Sequence, residues 1–385
     1  MSVEHGEGDP HRFGPSRRLR TRAKVLPEHA RGHNRALVLQ TLFHAGAMSR
    51  ADLSRETGLT RVTISDLVGE FIADGVVVEK GIRETSGPGK PPTLIDIDRD
   101  GHRIVGLDLS GPGAFEGALL SLDGVVLERR EIARPVEGGE AAYAAVRTLA
   151  QQLVALSPAP VLGVGVGAPG IVRPDGVVLS SPNLDWVDLP LESLLSADLD
   201  LPVLVSNDAN AAVLAEFTFG QARDDMMLVR IGKGVGGGLI SDSQPLVGSR
   251  FAAGEIGHVV VGTDGGPLCG CGKRGCLEAW LGASALRTRL AEAPVAESDA
   301  VLREAGTRLG IGIAPIVAAL DLSEIVLSGP ADLLDGPLIE AATRTLTERT
   351  LDGVYDDVVI RLTAQEDIVL RGAAVMVLSS QLGVS

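Results

Sequence analysis

The sequence has few cysteines, few aromatic residues and no long apolar run. It contains three cysteines in 385 residues, and aromatic side chains make up only 3%. Three cysteines exclude a fold held by several disulfides and fit a reducing compartment. No apolar run approaches the roughly 20 residues that cross a bilayer, and the first residues are too polar for a signal peptide. We therefore expect a cytoplasmic protein without a membrane partner.

The charge is strongly asymmetric along the chain. The whole sequence carries a net charge of −15, whereas residues 10–65 hold 11 Lys and Arg against 3 Asp and Glu. A basic N-terminal part on an acidic body predicts that any nucleic acid meets only the first part. The alternative is a basic tail without function. With 45% hydrophobic residues over this length, two or more domains are expected.

All three cysteines lie in one glycine-rich stretch. His258 is followed by Cys269, Cys271 and Cys276 within residues 254–278. Three thiols and one imidazole form a complete tetrahedral set for structural Zn²⁺, and tight turns allow such closely spaced ligands to meet on one ion. The alternative is three inert, buried thiols. Two acids beside this set, Glu255 and Glu278, are either ligand-binding groups held by the loop or solvated surface acids.

Residues 1–32 have little periodicity, and we expect a disordered basic tail. Residues 33–98 predict a winged helix-turn-helix, with Ser49 and Thr60 as helix N-caps and Gly58 as the turn. The N-terminal end of the third helix would enter the major groove, and basic side chains of the wing would reach phosphates or the minor groove. The alternative is a protein-interaction module. The apolar face of the third helix is predicted to be Val62, Ile64, Leu67, Val68 and Phe71, and the predicted DNA contacts are Thr60, Arg61, Thr63, Ser65, Lys80, Arg83 and Lys90.

From residue 103 the pattern becomes α/β, and a similar order of strands and helices occurs twice. This predicts two α/β lobes with a cleft between them. Gly170 lies in a turn close enough for a ligand, and Asn183 offers an amide. Asp208 begins a helix, where it could accept a proton from a sugar hydroxyl, although Asn207 and Asp208 could equally be N-caps. A glycine-rich run at 232–238 predicts a phosphate loop or a tight hairpin.

The motifs ExGH and CxCGxxGCxE, which begin at Glu255 and Cys269, resemble those of the ROK family of repressors and sugar kinases. The stretches GAPG, PNLDW and NDANAA precede them in the family order, and residues 33–98 resemble the DNA-binding module of the family's regulators. The resemblance implies a two-lobed, actin-like (ribonuclease-H-like) fold over residues 103–385, with a zinc loop at 258–276. It also implies the sugar contacts Asn183, Asn207, Asp208, Glu255, His258 and Glu278.

The nucleotide elements depart from the family's kinase pattern. The run that begins at Asp108 contains Pro112, which removes an N–H donor, and lacks the usual threonine and lysine. Lys233 stands where family kinases carry threonine, and the later glycine pair is reduced to Ser328-Gly329-Pro330. Lys90 also replaces the arginine expected before the wing prolines, so minor-groove contact loses its planar donor there.

We therefore expect a DNA-binding regulator, a repressor of carbohydrate genes, whose cleft binds a sugar or sugar phosphate. It would bind operator DNA as a homodimer or tetramer. The alternative is an ATP-dependent sugar kinase with an appended DNA-binding domain, in which Asp208 is the catalytic base. A third hypothesis is a zinc-stabilised scaffold without a small ligand.

Overall fold

The computed structural model describes residues 27–82, 92–220 and 222–384. Its first part is a helical module that ends in a short sheet. The elements are α1 (Pro27–Ala45), β1 (Met48–Ser49), α2 (Arg50–Thr57), α3 (Arg61–Ala73), β2 (Val77–Ile82) and β3 (Thr93–Ile97). The strands pair in the order β1, β3, β2. This arrangement has the helix-turn-helix and the base of the wing that the sequence predicts.

Local capping fixes the ends of α2 and α3. Ser49 and Asp52 bond reciprocally, because each side chain accepts from the backbone N–H of the other residue. Gly58 ends α2 at φ 71°, a left-handed conformation that costs glycine little. The Thr60 hydroxyl accepts from the Thr63 N–H and so caps α3. These bonds satisfy N–H groups that have no partner inside the helix, and they confirm the predicted caps.

The first helix departs from the expected domain boundary. α1 begins at Pro27, whereas the sequence predicted a disordered tail through residue 32. Proline is favoured in the first turn of a helix, because its missing N–H would have no partner there. The module therefore starts at residue 27, and the rest of the predicted tail lies outside the described residues, as do Arg83 and Lys90 of the wing.

The first lobe contains a five-stranded sheet in the order β11, β7, β4, β5, β6, and a small sheet in the order β10, β9, β8. β4 pairs parallel with β7 and antiparallel with β5. The elements are β4 (Arg103–Asp108), β5 (Ala114–Leu120), β6 (Val126–Ala133), α4 (Gly139–Leu156), β7 (Val161–Ala168), β8 (Ile171–Val172), β9 (Val178–Ser181), β10 (Trp186–Leu189), α5 (Leu191–Leu199), β11 (Val203–Asn207) and α6 (Asp208–Phe219).

The second lobe repeats this plan with a sheet in the order β16, β15, β12, β13, β14. In each five-stranded sheet, three antiparallel strands adjoin two strands that run parallel to the first of them, which confirms the predicted two-lobed α/β fold. Among the described residues, no helix is long and apolar enough to cross a membrane. The elements are β12 (Met226–Ile231), β13 (Val235–Ser241), β14 (Gln244–Pro245), α7 (Leu277–Leu281), α8 (Ala283–Glu292), α9 (Ser298–Leu320), β15 (Glu324–Ser328), α10 (Ala331–Leu334), α11 (Pro337–Thr347), β16 (Val359–Leu362) and α12 (Ile368–Leu382), with short 3₁₀ turns at Ile256–His258 and Val295–Glu297.

One continuous apolar core joins the N-terminal module to the first lobe. Buried side chains of α1, α3 and β3 pack in the same cluster as side chains of β4, β5 and α12. At this boundary Arg99 donates to the Phe43 carbonyl oxygen at 2.9 Å and pairs with Asp123. The module is therefore packed against the lobe. The shared core includes Val38, Leu42, Phe71, Ile95, Ile104, Leu120, Leu378 and Leu382.

A buried ion-pair network ties α6 to the second sheet. Arg361 on β16 donates to Glu216 of α6 at 2.8 Å and to Glu324 of β15 at 2.7 Å. The two carboxylates are 1% and 6% exposed. Because one guanidinium pairs with both carboxylates, its loss would remove the ion-pair partner of each.

We expect Arg361→Met to lower the free energy of unfolding by about 3 kcal/mol, the usual cost of breaking a buried ion pair from one side. Methionine keeps much of the aliphatic length of arginine, so the loss of unfolding free energy would report mainly the missing charge. Urea denaturation followed by circular dichroism measures it. The control is Arg173→Met, since among the described residues Arg173 pairs only with exposed Asp175 and should contribute less than about 1 kcal/mol. Equal losses in the two variants would contradict the role of the network.

Candidate ligand cleft, metal centre and DNA-binding face

A cavity of about 600 Å³ opens between the lobes. Its size suits a small ligand, since ligand sites typically measure about 300 to 1,000 Å³. It is lined by carboxylates, amides and backbone groups, which are the partners that a polyhydroxyl compound requires. All seven residues that the sequence predicted as sugar contacts line it: Gly170, Asn183, Asn207, Asp208, Glu255, His258 and Glu278.

Asn207 holds the floor of this cavity together. Its Oδ1 accepts from the N–H groups of Ala209 at 2.9 Å and Asn210 at 3.1 Å, so it is the N-cap of α6. Its Nδ2 donates to the Gly170 carbonyl oxygen at 2.8 Å. Gly170 has φ 101°, and an added Cβ would meet the Ser180 carbonyl oxygen at 2.1 Å. Asn207 therefore positions the Gly170 turn and directs Asp208 into the cavity.

Arg230 is a functional residue that the sequence reasoning missed. It lies on β12, and its guanidinium donates to Asp208 at 2.8 Å and to the Ser110 hydroxyl at 2.8 Å. The same group lies 3.5 Å from the Asp108 carboxylate. Burial raises the pKa of Asp208, and the positive charge of Arg230 opposes this rise. The Arg230 side chain thus links β12 to the end of β4 and the start of α6.

A second, smaller cavity of about 190 Å³ lies beside Arg230, which lines both cavities. Asp108, Glu116 and Asp367 give it three carboxylates. Burial and the nearby Asp108 raise the pKa of Glu116. Ser328 and Gly329 also line this space, so it contains two of the three elements that depart from the kinase pattern. Arg230 separates this acidic cavity from the larger one.

A metal could be held in the second lobe by His258, Cys269, Cys271 and Cys276. One ligand atom of each residue lies within 4.8 Å of all the others. Backbone hydrogen bonds shape the loop, including one from Cys269 N–H to the Lys273 carbonyl oxygen at 2.8 Å. Three thiols and one imidazole at this separation form a donor set that suits a tetrahedral ion.

The metal-ligand group is continuous with the cavity wall. His258 and Cys271 line the cavity. Glu278, two residues beyond Cys276, accepts from the Val235 N–H at 3.2 Å, and its other oxygen lies 3.7 Å from the Cys269 sulfur. Burial raises the pKa of Glu255, and the charge of His258 opposes this rise. The loop that presents the ligands therefore also positions the acids of the second lobe.

The residues of α3 that the sequence predicted as DNA contacts lie at the N-terminal end of the helix. Arg61, Ser65 and Lys80 are exposed, and within the described residues their side chains have no hydrogen-bond or ionic partner. The hydroxyls of Thr60 and Thr63, which were also predicted as DNA contacts, bond to each other at 2.9 Å within the N-cap. These two threonines shape the helix end that carries the exposed residues.

The prediction that Val62 belongs to the core of α3 is wrong. Its side chain is 71% exposed, whereas Ile64, Leu67, Val68 and Phe71 are buried as predicted. The reason is the helical period: at about 100° per residue, Val62 lies about 170° away from the centre of the buried face. Val62 therefore points away from the module's core.

Comparison with known proteins gives matches over most of the chain and matches over about half of it. A "Putative xylose repressor" from Caldicellulosiruptor sp. (strain Rt8B.4) is 29% identical over 386 residues, covering 91% of this chain and 96% of the relative. A "Glucokinase" from Thermotoga maritima is 39% identical over 197 residues, 49% of this chain and 60% of the relative. The full-length repressor thus aligns with the module as well as the lobes.

Solved structures show the same fold. The crystal structure of a ROK family transcriptional regulator, a homolog of the E. coli MLC protein, superposes with a TM-score of 0.80 at 24% identity, covering 92% of this chain and 98% of that one. A ROK family glucokinase from Streptomyces griseus, in complex with glucose and AMPPNP, gives a TM-score of 0.61 at 26% identity, covering 71% and 98%. The model of the ROK family matches residues 104–380. The chain therefore belongs to the ROK family.

Proposed function

We propose that this protein is a sugar-responsive DNA-binding transcriptional regulator, a repressor of carbohydrate genes. The observation that carries the proposal is the core shared by the N-terminal module and the first lobe. The same chain holds a helix-turn-helix and a cavity lined with hydroxyl-binding groups, and the two are packed together. Relatives named as xylose repressors, which align over both parts, support it.

α12 provides the connection between cleft and module. Its first residues, Ile368 to Leu370, line the small cavity beside Arg230. Its last turns, with Leu378 and Leu382, lie in the shared core with α1. A 15-residue helix spans about 22 Å, so one rigid element reaches from the small cavity beside Arg230 to the module. A change in lobe angle would therefore change the orientation of the helix-turn-helix.

Operator binding in this proposal requires a dimer with two modules on a palindromic site. Sugar binding would shift the angle between the two modules and weaken operator binding. The coupling is reciprocal, so the operator must weaken sugar binding by the same factor. Within each module, the exposed Arg61, Ser65 and Lys80 would make the DNA contacts, with Arg83 and Lys90 as further proposed contacts in the wing.

Each polar group of the cleft has a role in holding a sugar. Asp208, Glu255 and Glu278 accept hydrogen bonds from hydroxyl groups, and Asn183 both donates and accepts. Gly170 and Asn207 shape the floor. His258 would bind the metal through one ring nitrogen, which leaves the other for a sugar hydroxyl. Zn²⁺ suits the donor set and would hold the loop that carries Glu278 and His258.

A sugar kinase is the second candidate, because Asp208 stands where it could accept a proton from a hydroxyl. Phosphoryl transfer requires the nucleotide phosphates and their metal to be positioned in line with that hydroxyl. In this cleft the Arg230 guanidinium lies against Asp208, and the cavity beyond it is lined by carboxylates that repel phosphate. The geometry therefore favours a sugar that is bound and left unreacted.

We expect Asp208→Asn to weaken sugar binding by about 10- to 100-fold, since it removes the charge that accepts a hydroxyl hydrogen bond. A thermal-shift screen of the full-length protein against sugars and sugar phosphates identifies the ligand, and isothermal titration gives its Kd. The neighbouring Asp185→Asn is the control: Asp185 is exposed, does not line the cavity, and has φ 55°, which asparagine also tolerates. The proposed site is wrong if both variants bind the sugar as the wild type does. If no sugar or sugar phosphate stabilises the wild type, the scaffold hypothesis is favoured.

We expect no sugar-dependent ADP release from the wild type with ATP and magnesium, because the Arg230 guanidinium is bonded to Asp208 and the cavity beyond it is lined by carboxylates that repel phosphate. A coupled assay measures ADP with every sugar that shifts the melting temperature, and a hexokinase verifies that the assay detects turnover. Sugar-dependent turnover by the purified protein would make it a kinase and overturn the sensor proposal.

We expect Cys271→Ser to lower the zinc content and to weaken the sugar response, because one of the four ligands is lost and the loop that carries Glu278 loosens. Inductively coupled plasma mass spectrometry after gel filtration measures zinc, and thermal shift measures the response. Lys273→Ser is the matched control, as Lys273 lies in the same loop but is outside the ligand group. Full zinc content and an unchanged response in Cys271→Ser would contradict the role.

A further inference from the structure

α3 presents a stripe of short side chains on the side opposite its core. Val62, Ser65, Asp66 and Gly69 all lie on this side and are exposed. Their spacing of three, four and seven residues from Val62 places them in one line along the helix. The outward face of a surface helix normally carries long charged side chains. This helix instead places a valine at the centre of the face.

The stripe permits close approach by a large partner. No atom of the residues that the structure describes lies within 4 Å of the point where a Cβ of Gly69 would stand, so the space above the helix backbone is open on that side. The acids at the far end of α3 are neutralised, because Arg35 pairs with Glu70 at 2.9 Å and with Asp74 at 3.1 Å. A groove that accepts one helix can therefore receive the N-terminal half of α3 without a long side chain in the way.

The chemistry of the stripe fits base edges better than phosphates. Asp66 is exposed and would be repelled by the DNA backbone, whereas a carboxylate at a base edge can accept from an amino group. Val62 offers only methyl groups, and the one apolar feature that the major groove presents is the C5-methyl group of thymine. Arg61 lies at the edge of the stripe, where it can reach guanine or phosphate.

We propose that Val62 reads the C5-methyl group of a thymine in each half-site of the operator. Val62 is then the residue of α3 that discriminates thymine from cytosine at one position. The hydroxyls of Thr60 and Thr63 form the helix cap, whereas the Val62 side chain takes no part in it. The inference rests on the proposed DNA-binding function and adds to it the residue and the base that set specificity.

The test starts from duplexes selected by the full-length protein from a randomised library. Each thymine of a selected duplex is replaced by uracil, which removes only the C5-methyl group, and fluorescence anisotropy gives the Kd. At one thymine in each half-site we expect the affinity to fall about fourfold, which corresponds to the free energy of burying one methyl group. In Val62→Ala the same replacement should cost almost nothing, because the contact is already absent.

Two controls separate this contact from general effects. Val187→Ala removes an equally exposed valine (74%) from β10 of the first lobe and should keep the full uracil penalty. Val62→Thr keeps the shape of the side chain, and it should keep the fold because position 62 is exposed. This variant should retain part of the uracil penalty. Circular dichroism of each variant verifies folding.

The outcomes distinguish the inference from the function on which it rests. If specific duplexes are selected but uracil costs them no affinity, Val62 does not read thymine. The same holds if the uracil penalty persists in Val62→Ala. Both outcomes would leave the proposed DNA-binding function standing. Failure to enrich any duplex would overturn the DNA-binding function and the inference together. A penalty present in the wild type and Val187→Ala but lost in Val62→Ala supports the inference.

Discussion

The close packing of α12 against β7 and α6 determines how the cleft and the N-terminal module are related. An added Cβ at Gly165 of β7 would meet the Ala373 carbonyl oxygen at 2.1 Å, and one at Gly372 would meet the Ala211 carbonyl oxygen of α6 at 1.8 Å. Glycine is required at both positions because only an absent side chain allows backbones this near. β7 leads to the Gly170 turn and α6 begins at Asp208, so the helix that supports the module also fixes two walls of the cleft.

Arg230 determines what the cleft can do with a bound hydroxyl. Its guanidinium contributes one positive charge between two carboxylates, Asp108 and Asp208. Burial raises the pKa of Asp208, and the Arg230 charge opposes this rise, so Arg230 favours the anionic form of Asp208 without any nucleotide or metal. Under the proposed function, the fixed Arg230 guanidinium suits a site that binds a hydroxyl group and leaves it unreacted.

The sequence predicted those features that depend on neighbouring residues. Gly58, Thr60 and the cysteine spacing act within a few positions, so the helix ends and the metal-ligand group could be found without a structure. The sequence did not show which way the first turn of α3 faces, and Val62 was therefore predicted on the buried face although it is exposed. Arg230 was missed because its partners, Ser110 and Asp208, are distant in sequence and only the sheet brings them together. The packing of α1 on α12 joins opposite ends of the chain, and no local pattern reports it.

The division of polar groups between the lobes explains how a small ligand can act on DNA binding. A ligand shifts a conformational equilibrium only as far as it binds one state better than the other. Asn183 belongs to the first lobe, whereas Glu255 and Glu278 belong to the second, and all three line one cavity. A polyhydroxyl ligand long enough to bond to both sides stabilises one separation of the lobes, while a ligand that reaches only one side does not. The selectivity of the response therefore follows from the span of the ligand's hydroxyl groups as well as from its affinity.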